Sequence, residues 1–195
     1  MNSVENRLDR SFRLARKSCR VALFDMDGTL VETDAANTAA YRMALSKFGI
    51  SLPCKPAGRI TGADVCRYTP NLSTVDLAAI ARAKKTAYAS ALPLTWLGPA
   101  TAALRESLQR RDLFARVVLL TESKVCRAHE TLRHHGLLEC FDEIVCNGGR
   151  GDKYTNFFTT HAVDPADCVV WENEDSKVKS AVTVGVKIEN IRKVA

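Results

Sequence analysis

Short apolar runs alternate with amphipathic segments along most of the chain, and this alternation predicts the fold class. Apolar runs typical of short buried strands occupy residues 21–24, 117–120, 143–146, 168–171 and 186–191. Segments with apolar residues at helical spacing occupy residues 99–111, 123–135, 153–161 and 176–184. Strands that alternate with helices indicate an α/β protein with a Rossmann-like, doubly wound parallel sheet and helices on both of its faces.

The stretch between the first strand and the rest of the predicted sheet breaks this alternation. Helical patterns run from Asp34 to Phe48 and from Ser73 to about Ala91, and the irregular residues between them are rich in Pro and Gly. This part of the sequence has no clear strand pattern. We therefore predict a helical insertion of residues 34–97 in a core that consists of residues 20–33 and 98–195.

Positive charge is concentrated at the N-terminus. The formal net charge is +6, from 28 Lys and Arg against 22 Asp and Glu. Residues 1–20 hold six basic and two acidic side chains, so most of the excess lies there. Because apolar residues recur at helical spacing beneath these charges, residues 1–19 are predicted to form a basic helix that packs on or extends the core. The segment lacks the apolar region and the cleavage site of a signal peptide.

Composition excludes several classes of protein. Hydrophobic residues make up 46% of the 195-residue chain and charged residues 26%, which is the balance of a soluble globular protein. No apolar stretch approaches the roughly 20 residues that cross a bilayer, so we expect no membrane span. The seven cysteines are scattered, with no CxxC pair and no zinc-ligand spacing, and this favours a reducing cytoplasm.

Polar side chains follow the predicted strands. Asp25 and Asp27 come after the first strand, Thr121 after the second, a glycine-rich loop that reaches Lys153 after the third, and residues 172–175 after the fourth. In open parallel sheets, ligands bind beyond the carboxyl ends of the strands. Carboxylates, a hydroxyl and a single cation at that edge suit a divalent metal together with a phosphoryl group.

The same residues carry a family resemblance. Residues 24–30 (FDMDGTL) resemble the first motif of the haloacid dehalogenase-like hydrolase superfamily, and residues 119–121 (LLT) resemble its second. Lys153 is similar to its third motif and the segment after Val170 to its fourth, in the right order over nearly the whole chain after residue 20. The predicted insertion lies where this family carries a small helical cap. The resemblance therefore implies the family's fold, with such a cap.

The resemblance also implies an activity, the hydrolysis of phosphomonoesters through an aspartyl-phosphate intermediate. It makes Asp25 the nucleophile and Asp27 the general acid and base, while Thr121 and Lys153 hold the transferring phosphoryl oxygens. Two neighbouring carboxyl groups do not easily both ionise, so one of them can act as an acid. The residues implied for substrate binding are Gly28, Thr29, Thr121, Glu122, Ser123 and Lys153.

The implied cofactor is Mg²⁺, and the implied ligands are Asp25, Asp27, Glu172 and Asn173. Alignment of Glu172-Asn173 with the family's Glu-Asp pair puts an asparagine where a metal aspartate is expected. An amide oxygen binds Mg²⁺ without a charge, so affinity should fall. Alignment of Glu174-Asp175 restores an acidic pair but lengthens the strand by two residues. We favour the first alignment, and the second stays open.

Two other functions stay open. A sugar phosphomutase would resemble this chain but typically has a histidine where Asn37 stands. A catalytically weak protein of the same fold would instead bind nucleic acid or a partner through the basic N-terminal arm. We expect a small phosphorylated substrate, with the chain as a monomer or homodimer, and neither nucleic acid nor a membrane as its partner.

The predicted insertion supplies further candidates. Lys55, Arg59 and Arg67 are candidate contacts for an anionic substrate. Opening and closing of the insertion would turn about the segments near Glu32 and Leu97. The two tryptophans, Trp96 and Trp171, are expected to pack in the core or at this hinge.

Overall fold

The core of the molecule is a parallel sheet covered by helices. A computed structural model describes residues 20–51 and 60–194 of the chain. Its strands are β1 (Arg20–Phe24), β2 (Val31–Glu32), β3 (Trp96–Leu97), β4 (Phe114–Thr121), β5 (Glu143–Cys146), β6 (Cys168–Glu172) and β7 (Ile191–Lys193). Five of them form the central sheet in the order β5-β4-β1-β6-β7, and every neighbouring pair is parallel. The predicted doubly wound parallel sheet is confirmed.

Helices cover both faces of this sheet. The α-helices of the described residues are α1 (Asp34–Ser46), α2 (Gly62–Tyr68), α3 (Thr74–Ala91), α4 (Thr101–Gln109), α5 (Val125–His134), α6 (Lys153–Thr160) and α7 (Asp175–Thr183), of which α4 to α7 pack on the sheet. Successive side chains of a strand point to opposite faces, so β1 contributes to two apolar layers. Phe24 packs with residues of α4 and α5 on one face, and Leu23 packs with residues of α6 and α7 on the other.

Aromatic packing supports the centre of the first face. The rings of Phe24 and Trp171 stack with their centroids 4.2 Å apart, and Phe114 meets Trp171 edge-on at 6.1 Å. Trp171 is therefore a core residue, as expected. Trp96 lies in β3 at the predicted hinge and is 56% exposed, so it contributes little to the core.

The helical insertion has a small apolar core of its own. Helices α1 and α3 pack through alanines, and a second cluster joins them to α2 through Leu45, Val65 and Ile80. The antiparallel pair β2 and β3 connects the insertion to the core, with Val31 opposite Leu97. Alanines on both helices allow a close approach but bury little apolar area.

The structure corrects three local predictions. Residues 62–68, which were expected to be irregular, form α2, because Thr61 and Asp64 make a capping box at its start. The insertion contains a strand after all, since β3 is too short to leave a pattern. The last strand lies at Ile191–Lys193 rather than 186–191, because a 3₁₀ turn occupies Ile188–Asn190.

Some predicted features lie outside the described residues. These are the basic helix of residues 1–19 and two candidate anion contacts, Lys55 and Arg59. The third candidate, Arg67, is on α2 with a side chain 74% exposed and lies 3.9 Å from a carboxylate oxygen of Asp64. No helix in the described part of the chain combines the length and the apolar character that crossing a membrane requires.

Candidate active site

Three neighbouring strands bring the predicted site residues to one edge of the sheet. Asp25 follows β1, Thr121 ends β4 and Glu172 ends β6, and all three are buried. A cavity of about 500 Å³ opens at this edge, between the sheet and the helical insertion. Its lining includes Asp25, Asp27, Glu122, Ser123, Lys153 and Glu172. The convergence expected from the strand ends is therefore present in the structure.

Lys153 lies at the centre of the buried charges. Its Nζ donates to Oδ1 of Asp25 at 2.6 Å and lies 2.7 Å from Oε2 of Glu172. Lys153 reaches this position because α6 begins at this residue, after Asp152 caps the helix through the backbone N–H of Thr155. Because Lys153 and Glu172 are each 1% exposed, water does not screen their attraction.

The environment shifts the protonation of both partners. Burial raises the pKa of Asp25 to about 7, and the charge of Lys153 opposes this rise while the neighbouring Glu172 and Asp27 add to it. Burial alone would lower the pKa of Lys153, but the carboxylates of Asp25 and Glu172 raise it above the ordinary value. Lys153 is therefore an ammonium ion that favours the ionised form of Asp25.

Glu172 uses both carboxylate oxygens to position its neighbours. Oε2 accepts from the hydroxyl of Tyr154 at 3.0 Å as well as from Lys153. Oε1 accepts from the backbone N–H groups of Asn173 at 3.0 Å and Glu174 at 3.2 Å. Glu172 was expected to be a metal ligand, and in this arrangement it holds Lys153 and shapes the loop after β6.

The loop after β6 also bears on the two alignments of the fourth motif. The side chain of Asn173 lies against Gly28, and its Oδ1 accepts from Oγ1 of Thr29 at 3.3 Å. Glu174 lines the cavity, whereas Asp175 is exposed and pairs with Lys193 at 2.6 Å. This geometry favours Asn173, rather than Asp175, as the residue that faces the first loop.

Two hydroxyl groups that were expected to bind substrate are fully buried. Neither Thr29 nor Thr121 lines the cavity, and Thr29 donates to Asn173. Oγ1 of Thr121 accepts from the backbone N–H of Ser123 at 3.1 Å, which leaves the hydroxyl hydrogen for another acceptor. Gly28 turns the chain after β1 with a φ of +78°, a conformation that glycine adopts readily.

Asp27 has a partner that the sequence analysis missed. Nη1 of Arg127 donates to Oδ2 of Asp27 at 3.0 Å, and Nη2 of Arg127 donates to Oδ1. The hydroxyl of Ser123 donates to Oδ2 at 2.7 Å, and that of Thr33 donates to Oδ1. Arg127 stands four residues after Ser123 on a predicted helix, and this i,i+4 spacing is the one signal in the sequence that could have indicated it.

Glu122 places a carboxylate beside the cavity, and each of its two oxygens accepts a hydrogen bond from another side chain. Oε1 accepts from Nζ of Lys177 at 2.6 Å, and Oε2 accepts from Nδ2 of Asn147 at 2.8 Å. Although burial raises the pKa of Glu122, these hydrogen bonds bring it below its usual value. Neither Lys177 nor Asn147 was predicted, because each comes from a distant loop or helix.

The oxygen atoms at this edge can be tested against the implied Mg²⁺. No group of three His, Cys, Asp or Glu residues in the described ranges has a metal-binding arrangement. The side chains of Asp27 and Glu172 are engaged by other residues, whereas Oδ2 of Asp25 accepts no hydrogen bond from the described part of the chain. The carboxylate of Asp25 and the amide of Asn173 supply oxygen donors of the kind that Mg²⁺ prefers, and Mg²⁺ keeps several waters as its other ligands.

Comparison with known proteins shows what this chain is similar to. No protein-family model matches the chain. Fructose-1-phosphate phosphatase YqaB of Escherichia coli K12 is 26% identical over an alignment of 186 residues that covers 87% of this chain and 95% of that protein. CbbY from Rhodobacter sphaeroides, solved with phosphate, has a TM-score of 0.70 at 20% identity and covers 87% of this chain and 84% of its own.

A second solved structure shows the same fold. The haloacid dehalogenase-like family hydrolase from Streptococcus pneumoniae has a TM-score of 0.66 at 17% identity. The match covers 87% of this chain and 82% of that one. This chain therefore shares its overall fold with both solved structures.

Proposed function

Because this chain is a member of the haloacid dehalogenase-like hydrolase superfamily, we propose that it is a phosphatase that works through an aspartyl-phosphate intermediate. The observation that carries the proposal is the environment of Asp25. This carboxylate follows β1, points one oxygen at the ammonium group of Lys153 and lines the cavity. A buried carboxylate with a held geometry and an open oxygen is what a nucleophile requires.

The first step transfers the phosphoryl group to the protein. Oδ2 of Asp25 attacks phosphorus, the bond from phosphorus to the ester oxygen breaks, and that oxygen takes a proton from Asp27 as the alcohol leaves. Lys153 fixes the other oxygen of Asp25 and offsets the negative charge that collects in the site.

The second step restores the protein. A water oxygen attacks phosphorus while one of its protons passes to the carboxylate of Asp27, the bond from phosphorus to Asp25 breaks, and inorganic phosphate leaves. Asp27 thus returns to the protonated form from which it began, so one residue serves as acid and then as base. The split into two in-line displacements suits phosphomonoesters, whose uncatalysed hydrolysis is extremely slow.

Mg²⁺ is the proposed cofactor, and Asp25 and Asn173 are the side chains that would hold it. When bound, it would neutralise charge on the phosphoryl oxygens during both displacements. The side chain of Asn173 reaches this place because Gly28 leaves room for it.

A small phosphorylated metabolite, such as a sugar phosphate, is the proposed substrate class. The cavity of about 500 Å³ has the size of a small-molecule site. Arg82 and Lys85 from α3 and Lys124 beside β4 are exposed at its mouth and attract anions. The phosphatase named above, whose name gives fructose 1-phosphate as its substrate, supports the same class.

Hydrolysis is a better proposal than the phosphomutase reaction. Asn37 stands where a mutase typically has a histidine, and it is 2% exposed with its amide donating to the carbonyl oxygen of Ile60 at 2.6 Å. An amide in this place cannot exchange a proton with a substrate hydroxyl. We also propose a reducing compartment such as the cytoplasm, since the five cysteines of the described residues are all unbonded.

The experiment that tests the proposal is the release of inorganic phosphate. Sugar phosphates, nucleotides and p-nitrophenyl phosphate would be assayed with Mg²⁺, using the wild-type chain and the Asp25→Asn variant. We expect turnover of at least one sugar phosphate and its loss in Asp25→Asn. The matched control is Asp175→Asn, because Asp175 is exposed and pairs only at the rear of the loop.

Three results would contradict it. If no substrate of the panel releases phosphate, the phosphatase proposal is wrong. The alternative is then a binding function of the N-terminal arm, which a gel shift with nucleic acid at two salt concentrations would detect. If Asp25→Asn were as active as the wild-type chain, the covalent mechanism through Asp25 would be wrong. Conversion of one sugar phosphate into its isomer without phosphate release would indicate a mutase.

A further inference from the structure

Lys177 is a cation of the candidate site to which the proposed mechanism gives no role. It stands in the first turn of α7, which follows β6, so it lies at the same edge of the sheet as Asp25. Lys177 and Glu122 line the cavity that Asp25 and Lys153 also line. An anion that enters this cavity therefore comes close to two lysine side chains and not to Lys153 alone.

A chain of hydrogen bonds from other parts of the core orients the ammonium group of Lys177. Its Nζ donates to Oε1 of Glu122 at 2.6 Å, and Oε2 of Glu122 accepts from Nδ2 of Asn147 at 2.8 Å. Asn147 follows β5, and its Oδ1 accepts from Nδ2 of Asn156 on α6 at 2.7 Å. Because each partner is held by the next, the network gives Lys177 a fixed direction that an isolated surface lysine does not have.

The ammonium group of Lys177 has hydrogen atoms left to donate. An ammonium group carries three donors, and among the described residues Nζ of Lys177 donates to Glu122 alone. Lys153, in contrast, already contacts the carboxylates of Asp25 and Glu172. Lys177 can therefore keep its hydrogen bond to Glu122 and still donate to the oxygens of a bound anion.

The charges of this part of the cavity favour such a contact. Burial raises the pKa of Glu122, but hydrogen bonds from its two partners, together with the charges of Lys177 and Lys153, bring it below the usual value. Glu122 is therefore a charged carboxylate that lies close enough to both ammonium groups to be stabilised by them. A phosphoryl group brings more negative charge to the same place, and a cation held there offsets it.

We propose that Lys177 is a second lysine that binds the phosphoryl group of the substrate, and that Glu122 is the positioning residue that directs it into the cavity. The inference rests on the proposed phosphatase function and deepens it. Nothing in the family resemblance required this pair, since the resemblance implies Lys153 as the cation of the site. The contact needs no metal ion, which matters in a chain that has Asn173 where a metal aspartate is expected.

Binding of inorganic phosphate, measured without divalent cations, tests the proposal. Calorimetry on the full chain gives the dissociation constant of phosphate for the wild-type protein and for each variant. Lys177→Met should raise this constant by more than roughly tenfold, because it removes charged hydrogen bonds and leaves the carboxylate of Glu122 uncompensated. Lys177→Gln should reproduce the loss, and Lys177→Arg, which keeps the charge, should retain more affinity than either.

A second background separates phosphate binding from the neutralisation of Glu122. The Glu122→Gln variant has no carboxylate at this position for Lys177 to neutralise. If Lys177 binds phosphate, Lys177→Met in this background should still weaken binding by roughly tenfold. If the double variant binds phosphate as tightly as Glu122→Gln does, Lys177 only balances the charge of Glu122 and the proposal is wrong.

Lys179 provides the matched control for net charge. It is an exposed lysine on the same helix and does not line the cavity. Lys179→Met should leave the dissociation constant of phosphate nearly unchanged, since exposed charges outside the site are screened by salt. An equal loss of affinity in Lys179→Met and Lys177→Met would show a general effect of net charge and would overturn the proposal.

The phosphatase assay distinguishes failure of this inference from failure of the proposed function. Turnover by the wild-type chain, together with unchanged phosphate affinity in Lys177→Met, would overturn the inference alone. Absence of turnover, together with a loss of phosphate affinity in Lys177→Met, would overturn the phosphatase function and support Lys177 as an anion-binding residue. A wild-type chain that binds no phosphate without a metal would overturn the inference, whatever its activity.

Discussion

At the scale of single residues, Gly28 shows how backbone geometry and the candidate site depend on each other. Its φ is +78°, and a Cβ atom added to it would overlap the side-chain amide of Asn173. We expect Gly28→Ala to reduce the free energy of unfolding by the cost of the left-handed conformation, about 1–2 kcal/mol, and by about 1–3 kcal/mol more for the overlap. Urea denaturation measures the loss. Gly49→Ala is the matched control, since Gly49 has a φ of +69° with nothing within 4 Å of its added Cβ. Equal losses would contradict the prediction.

The buried ion pairs of Lys153 allow a prediction about stability. Lys153→Met leaves the carboxylates of Asp25 and Glu172 together without a cation, and breaking a buried pair in this way costs about 3–5 kcal/mol. Urea denaturation should show this loss, and phosphate release should stop. Lys177→Met provides the comparison, because the pair of Lys177 with Glu122 is partly exposed and is expected to contribute at most about 1 kcal/mol. A loss for Lys153→Met no larger than that for Lys177→Met would show that the buried charges are compensated in another way.

The position of Asn173 allows a prediction about the affinity for Mg²⁺. Asn173→Asp adds a negative charge against the loop that holds Gly28 and Thr29, and Mg²⁺ affinity rises with the charge of its ligands. We expect the dissociation constant of Mg²⁺, measured by calorimetry in the absence of substrate, to fall by roughly tenfold. Asp175→Asn serves as the control, since Asp175 pairs with Lys193 at the far side of the loop. Unchanged affinity in Asn173→Asp would place the metal elsewhere.

At the scale of secondary-structure elements, the contact between α5 and the hinge predicts a pH dependence. His135 follows α5, and its Nε2 donates to Oγ1 of Thr95 at 2.7 Å, because that hydroxyl itself donates to the carbonyl oxygen of Leu92. Burial, and then the neighbouring His134, lower the pKa of His135 in the folded chain. The unfolded chain therefore takes up the proton first as the pH falls, so stability is lost below the ordinary histidine pKa of about 6.5.

The measurement compares melting temperatures at about pH 7.5 and about pH 5.5. His135→Gln should lose less stability than the wild-type chain over this interval, because glutamine keeps a donor for Thr95 and does not titrate. His129→Gln, on the same helix, should behave as the wild-type chain does. If the melting temperature of His135→Gln falls between these pH values as much as that of the wild-type chain, groups other than His135 cause the loss of stability.

The elements also show what the sequence could predict. Strands such as β1 and β6 were found because both faces of each are buried, which leaves a continuous apolar run. Helix α2 was missed, although Thr61 and Asp64 have the spacing of a capping box, because Gly and Pro around it suggested an irregular segment. The two-residue strands β2 and β3 leave no periodic pattern, so only the folded chain shows them.

The candidate site was also predicted only in part from the sequence. Asp25, Asp27 and Lys153 were predicted because each follows a strand, and the carboxyl ends of parallel strands meet at one edge. The pairing of Arg127 with Asp27 and that of Lys177 with Glu122 were not predicted. Arg127 pairs with a residue 100 positions earlier and Lys177 with one 55 positions earlier, so the pairings depend on how helices α5 and α7 pack against the sheet.

At the scale of the whole molecule, the core and the helical insertion differ in what they bury. Phe24, Leu119 and Trp171 fill one side of the sheet, whereas the contact between α1 and α3 is built largely from alanines. Apolar stabilisation grows with the area removed from water, about 25 cal/mol per Å², so the insertion gains less per residue. It also meets the core through few elements, chiefly the β2–β3 pair and the contact of Tyr88 with α5.

This difference predicts that the insertion opens before the core unfolds. In native-state hydrogen exchange with added urea, backbone amides of α1 and α3 should exchange through an opening of lower free energy and weaker urea dependence than those of β1 and β4. Amides of α6, a core helix whose Tyr154 and Phe157 are almost fully buried, serve as the internal control and should follow the strands. One common free energy for all these amides would mean that the insertion and the sheet unfold as a single unit, and would leave no independent opening to admit a substrate.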